Sequence, residues 1–147
     1  MTTSLLLLYV LSAEKKLTFD QLPAPVKATV QKVFAKAKIL SVEEEHDEGK
    51  LVFEVKAKHE GHVVELALTG DGTVIAEERE IKLEEAPLAI RQAVTKNLPA
   101  GGKVEGVEQV TEGGLTFFEV AVRKADGSHV EMVVQADGGV VIKPATE

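Results

Sequence analysis

Apolar and polar positions along this chain follow two periods, one near 3.6 residues and one of 2, and they change places at well-marked turns. Val26, Val30, Val33, Phe34 and Ala37 fall on one helical face, which predicts a helix over Pro23–Lys36. Asp20 stands ahead of it as a cap, and Pro23 and Pro25 suit a first turn whose N–H groups have no helical partner. Lys27, Lys32 and Lys36 occupy the other side and the C-terminal end, where positive charge suits the helix dipole. From Ile39 the period becomes 2. Ile39–His46 reads as a strand, followed by a turn at Asp47-Glu48-Gly49-Lys50. In Leu51–Lys58, Leu51, Phe53, Val55 and Ala57 alternate with Val52, Glu54, Lys56 and Lys58. Glu60-Gly61 then turns the chain into His62–Thr69, and Gly70-Asp71-Gly72 turns it into Val74–Lys82. Short alternating runs joined by such turns predict antiparallel hairpins in a meander.

The same succession then starts again. Ala86-Pro87 with Ile90, Val94 and Leu98 matches Leu22-Pro23 with Val26, Val30 and Phe34 at an offset of 64 residues. Phe118-Glu119-Val120 matches Phe53-Glu54-Val55 at an offset of 65, and Asp137-Gly138 matches Asp71-Gly72 at an offset of 66. One-residue insertions in loops, where they are tolerated, account for the drift. The expected fold class is therefore α+β, with two tandem repeats, each one helix packed on a three- to four-stranded antiparallel sheet. The expected boundaries are 1–16 for a leader, 17–83 for the first repeat and 84–147 for the second.

These elements resemble the PepSY-like family, also described as β-lactamase-inhibitor-like. In the first unit the resemblance rests on Leu22-Pro23, Phe34-Ala35-Lys36-Ala37-Lys38-Ile39, Phe53-Glu54-Val55 and Asp71-Gly72. In the second it rests on Ala86-Pro87, Leu98-Pro99-Ala100-Gly101-Gly102-Lys103-Val104, Phe118-Glu119-Val120 and Asp137-Gly138. The departures, Ala35 for the family's Pro and Ala86 for its Leu, fall at structural positions. The resemblance implies an exported bacterial protein without enzymatic activity, acting by binding or inhibition.

Composition narrows the classes of partner. The formal net charge of the 147-residue chain is -7, which argues against nucleic acid and anionic membrane surfaces and suits cationic partners. There is no cysteine and no tryptophan, so disulfides, thiolate metal sites and a cysteine nucleophile are excluded and the core is aliphatic. Leu5–Leu11 is an apolar run far short of the roughly 20 residues that span a bilayer, so no stable membrane span is expected of the mature chain. With Ser12 and Ala13 behind it, the run predicts an atypical or truncated signal peptide, although no Lys or Arg precedes it. A periplasmic or secreted location follows from that reading. A buried N-terminal strand or short helix is the alternative for the same residues.

Candidate chemistry is sparse. His59 and His62 flank one tight turn and are weak candidates for a shared metal, since a structural site needs more ligands than they supply. The run Glu43-Glu44-Glu45-His46-Asp47-Glu48 lacks the spacing of a calcium loop. Ser128 and His129 are strand neighbours whose side chains point apart, which is poor geometry for a nucleophile and its base. No cofactor and no catalytic residue is expected. Strand alternation instead singles out the sheet face turned away from the helices. Glu54, Lys56, Glu65, Phe117, Glu119, Arg123 and Glu131 fall there with Val52, Val63, Ala67, Leu115, Ala121 and Val133. The expectation is a non-catalytic exported module, inhibitor-like, docking a protein or peptide on that face, with a peptidase among the candidate partners. The alternative expectation is a periplasmic divalent-cation-binding or envelope-stress protein that uses its acidic strand and turn residues.

Overall fold

The computed structural model describes residues 14–47 and 49–145. The leader run Leu5–Leu11 lies outside the described residues. A two-residue strand β1 (Lys15–Lys16) leads into a single 3-10 turn and helix α1 (Ala24–Phe34). Strands β2 (Lys38–Asp47), β3 (Lys50–His59), β4 (His62–Thr69) and β5 (Val74–Ile81) follow. A second 3-10 turn and helix α2 (Leu88–Asn97) precede β6 (Lys103–Glu112), β7 (Leu115–Arg123), β8 (His129–Gln135) and β9 (Val140–Pro144).

All nine strands form one antiparallel sheet in chain order, β1 to β9. This corrects the expectation of two tandem repeats, each a helix on its own three- to four-stranded sheet. The decisive contact is between β5 and β6, which pair from Ala76↔Glu112 to Ile81↔Val107. Separate sheets would leave the unpaired N–H and C=O groups of both strands at free edges. Pairing satisfies them and joins everything into a single layer, with α2 lying in the connection between the two strands.

Both helices pack on the same side of this layer. Val26, Val30 and Phe34, one turn apart on α1, are each at most 2% exposed, against Val42, Phe53, Val55, Ala57, Val64, Leu66 and Leu68. Ile90, Ala93 and Val94 of α2 cover Val107, Phe118, Val120, Val122, Met132 and Val134 in a second cluster. Register carries the inward Val64 and Leu66 of β4 through Arg79 and Glu77 of β5 to Gln109 and Thr111 of β6, on the same side as Val107, which places both clusters on one face. Between them the face is polar. Arg79 lies 3.7 Å from Glu77 and opposite Gln109 across the β5–β6 ladder.

The helix ends have local causes. α1 stops at Phe34, short of the expected Lys36, because Ala35 takes a positive φ of 40°. α2 ends before Leu98-Pro99, where the residue preceding a proline is pushed toward extended backbone. The β4–β5 turn is fastened beneath α1. Thr29 Oγ1 donates to the Gly72 carbonyl at 2.7 Å, and a Cβ on Gly72, at φ +86°, would lie 2.5 Å from the Pro25 oxygen. Gly138, in the β8–β9 turn, has open space where that Cβ would stand.

Candidate binding face

With both helices on one side, the other side of the nine-stranded sheet carries no covering element among the described residues. Register defines who stands there. Glu43 of β2 faces Glu54 of β3, and Lys56 of β3 faces Glu65 of β4, which in turn faces Glu78 of β5. Glu80 of β5 faces Glu108 of β6, and Glu108 faces Glu119 of β7. Glu131 of β8 stands between Ala121 of β7 and Lys143 of β9. A band of glutamates therefore crosses seven consecutive strands, β2 to β8. Beside it lies an apolar terrace. Val52, Ala67 and Ala76 form a small cluster of their own, and Val110 and Val133 are buried next to the half-exposed Phe117.

Crowding carboxylates in one band shifts their protonation. Burial, then the charges of Glu65 and Glu45, raises Glu54 to about 8. Burial and Glu108 raise Glu78 to about 7, and burial and Glu131 do the same to Glu119. Glu108 is raised by burial and by Glu80, and Glu45 by burial and by Glu14, to whose carboxyl it is hydrogen-bonded. Glu45 and Glu54 are each 7% exposed. Desolvation and like charge act in the same direction here, both favouring the neutral acid.

All seven expected docking residues lie on this face. Lys56 Nζ sits 2.9 Å from Glu65, and its pKa is raised chiefly by that hydrogen bond. Lys143 lies 3.5 Å from Glu131. Arg123 is at the end of the face, its Nε donating to Glu105 at 2.7 Å, with His129 Nε2 3.2 Å from the other Glu105 oxygen. His59 and His62 are turned to the opposite, helix-bearing side. The His59 ring packs at 5.6 Å against Phe34, and His62 Nε2 lies 3.0 Å from Glu85. The two are cross-strand partners at the β3–β4 turn, but each is engaged by a different neighbour. Among the described residues no group of three or more His, Asp or Glu side chains is placed to hold a metal ion.

Sequence reasoning missed Ala76, Glu78 and Glu80 of β5, Glu108 and Val110 of β6, and Lys143 of β9. In β5 the inward positions Glu77 and Arg79 are as polar as the outward ones, so alternation gives no apolar stripe to orient the strand. The Glu78-to-Glu80 and Glu108-to-Val110 spacing of two was the available signal. It becomes readable only when the β5–β6 register is known.

No family model matches the chain, and no curated protein does either. Solved structures do. A DUF2874 family protein from Bacteroides uniformis is 20% identical, over 83% of this chain and 88% of that one, with a TM-score of 0.71. A candidate periplasmic protein from Bacteroides eggerthii is 16% identical over 84% and 88%, with a TM-score of 0.72. A BLIP-like protein from Bacteroides fragilis is 18% identical over 86% and 88%, with a TM-score of 0.68. At these identities the likeness is one of fold. The chain has the fold of a BLIP-like protein, and the class its architecture defines is a helix-backed, open-faced antiparallel sheet. No helix among the described residues is long and apolar enough to cross a membrane.

Proposed function

We propose that this chain is a non-catalytic, exported binding module that docks a protein or peptide on the open face of its sheet. The observation that carries the reading is the coexistence, on a face that none of the described elements covers, of an apolar terrace around Phe117, Val110 and Val133 with a band of glutamates. A face serving only as a solvated exterior has no use for that terrace, whereas apolar centres rimmed by charge are what interfaces are built from. Glu54, Lys56, Glu65, Phe117, Glu119, Arg123 and Glu131 are the residues expected to meet the partner. The resemblance to PepSY-like domains and the fold shared with a BLIP-like protein support an inhibitor-like action, with a peptidase among the candidate targets. The fold shared with a candidate periplasmic protein supports export.

A photo-reactive amino acid at Phe117, compared with one at Lys32 on α1, tests the reading in the cells that make the protein. A cross-link to a defined polypeptide at position 117, absent at 32 and lost with Arg123→Ala, is the expected result. Equal cross-linking at both positions sinks it.

A further inference from the structure

The docking reading explains why the face is open. It does not explain why the face is so one-sidedly acidic. Within the band the cations are Lys56 and Lys143, each already beside a glutamate, while Lys16, Lys38, Lys50, Lys58, Lys103 and Arg123 lie at the margins and Arg123 is held by Glu105. Directly opposed glutamates, such as Glu43/Glu54, Glu65/Glu78 and Glu108/Glu119, destabilise a sheet rather than support it. Glu54 is the extreme case. It is 7% exposed on this face and makes no hydrogen bond or ion pair with the described residues. The charges that act on it most strongly are those of Glu65, Glu45, Glu78 and Glu43, and the cation next along β3, Lys56, is already paired with Glu65. A buried, uncompensated acid aimed at an open surface is a position that an incoming cation would complete.

We infer that the open face takes a basic polypeptide segment, whose lysine and arginine heads meet the glutamate band and whose aliphatic stems lie on Phe117, Val110 and Val133. This rests on the docking reading and adds the partner's chemistry. Neighbouring strands are about 4.8 Å apart and same-side side chains of an extended segment about 6.7 Å apart, a mismatch that long, flexible lysine and arginine side chains can span. Long basic side chains bury their stems on apolar surface while the charged ends reach carboxylates, which uses both parts of the face at once. The other occupants are disfavoured by the same charges. A second copy would bring its own glutamates against these, and nucleic acid and anionic lipid are repelled likewise.

The test uses the full chain and a short fluorescent peptide of alternating lysine and alanine, with a glutamate–alanine peptide as counterpart. Anisotropy titrations at about pH 9 keep the band largely ionised, Glu54 included, while the peptide lysines remain charged. One variant carries Glu78→Gln, Glu108→Gln and Glu119→Gln. A second carries Asp20→Asn, Glu60→Gln and Glu84→Gln, exposed positions off the face, so that net charge changes equally. The face variant should weaken basic-peptide binding by about tenfold while the control variant stays within about twofold, and added salt should weaken both. Amide shifts on adding peptide should map to β3–β8. Glutamine keeps the volume of glutamate and removes like-charge repulsion, and the thermal unfolding of each variant is measured alongside. Equal weakening in both variants would mean bulk charge alone and overturn the proposal, as would no binding, preference for the acidic peptide, or shifts confined to the helices. If the basic peptide fails while Phe117 still cross-links to a partner, the docking reading stands and the basic partner falls.

Discussion

The two faces of this one sheet are built on opposite terms. Under the helices, Val55, Ala57, Leu68, Val120, Met132 and Val134 are fully buried, and the packing closes without a charge in either cluster. On the other side, the same strands raise glutamates toward each other and bury two of them to 7% exposure. Alternate residues of β3 make the contrast within a few ångströms, with Phe53 and Val55 pointing one way and Glu54 the other. The difference teaches where stability is held. The helix-bearing face supplies most of the apolar burial, and the other, beside its smaller apolar cluster, carries an electrostatic load that folding does not need.

The largest test of that division removes a core anchor. Phe34→Ala empties the space between α1 and β3 and should lower stability by about 3–5 kcal/mol in urea unfolding. A loss no greater than that of an exposed substitution would mean α1 is not the lid of the first cluster.

Next comes pH, which loads the open face alone. Glu54 at about 8 and Glu78 and Glu119 at about 7 sit above the ordinary glutamate value of 4.5. Between those values the folded chain holds protons that the unfolded chain has released, so stability falls as pH rises. The favourable contribution is complete below about pH 4.5 and gone once pH passes about 8. Asp71, Glu85 and Asp126, lowered by hydrogen bonds, work in the other sense only at more acid pH. The groups facing these acids are Glu43, Glu45, Glu65, Glu78 and Lys56 around Glu54; Glu65, Glu108, Glu119 and Lys56 around Glu78; and Glu108, Glu112, Glu131 and Lys143 around Glu119. Urea midpoints at constant ionic strength should therefore be higher near pH 5.5 than near pH 8.5. The reverse order would show that the band is solvated rather than crowded.

Smaller still, Glu54→Gln should raise stability at alkaline pH by about 0.5–1 kcal/mol, by removing one like-charge pair with Glu43. It should also flatten part of the pH trend. Lys143→Gln is the smallest change. Its half-exposed pair with Glu131 is worth at most about 1 kcal/mol, and a larger loss would make that pair structural rather than part of the rim.

Much of the architecture was legible before any fold was known. The Val26-Val30-Phe34 stripe could only be a helix face, and the Phe53-Val55-Ala57 alternation fixed which side of β3 is covered. The turn at Glu60-Gly61 needed two residues of positive φ and has them, at 49° and 83°. Of the candidate face, the β3, β4, β7 and β8 positions could be assigned because their inward partners are aliphatic. β5 and β6 could not, because Arg79 and Gln109 make their helix-bearing side polar along the seam between the two clusters.

The sequence by itself determined the local elements and their inward residues, since periodicity and turn chemistry act between neighbours along the chain. Tertiary structure alone decided that β5 and β6 zip together, because an edge pairs through backbone groups that every residue carries and no side-chain pattern announces. That one ladder turned two expected sheets into a single nine-stranded surface. It also aligned Glu43 through Glu131, separate residues in the chain, into one acidic band across seven strands.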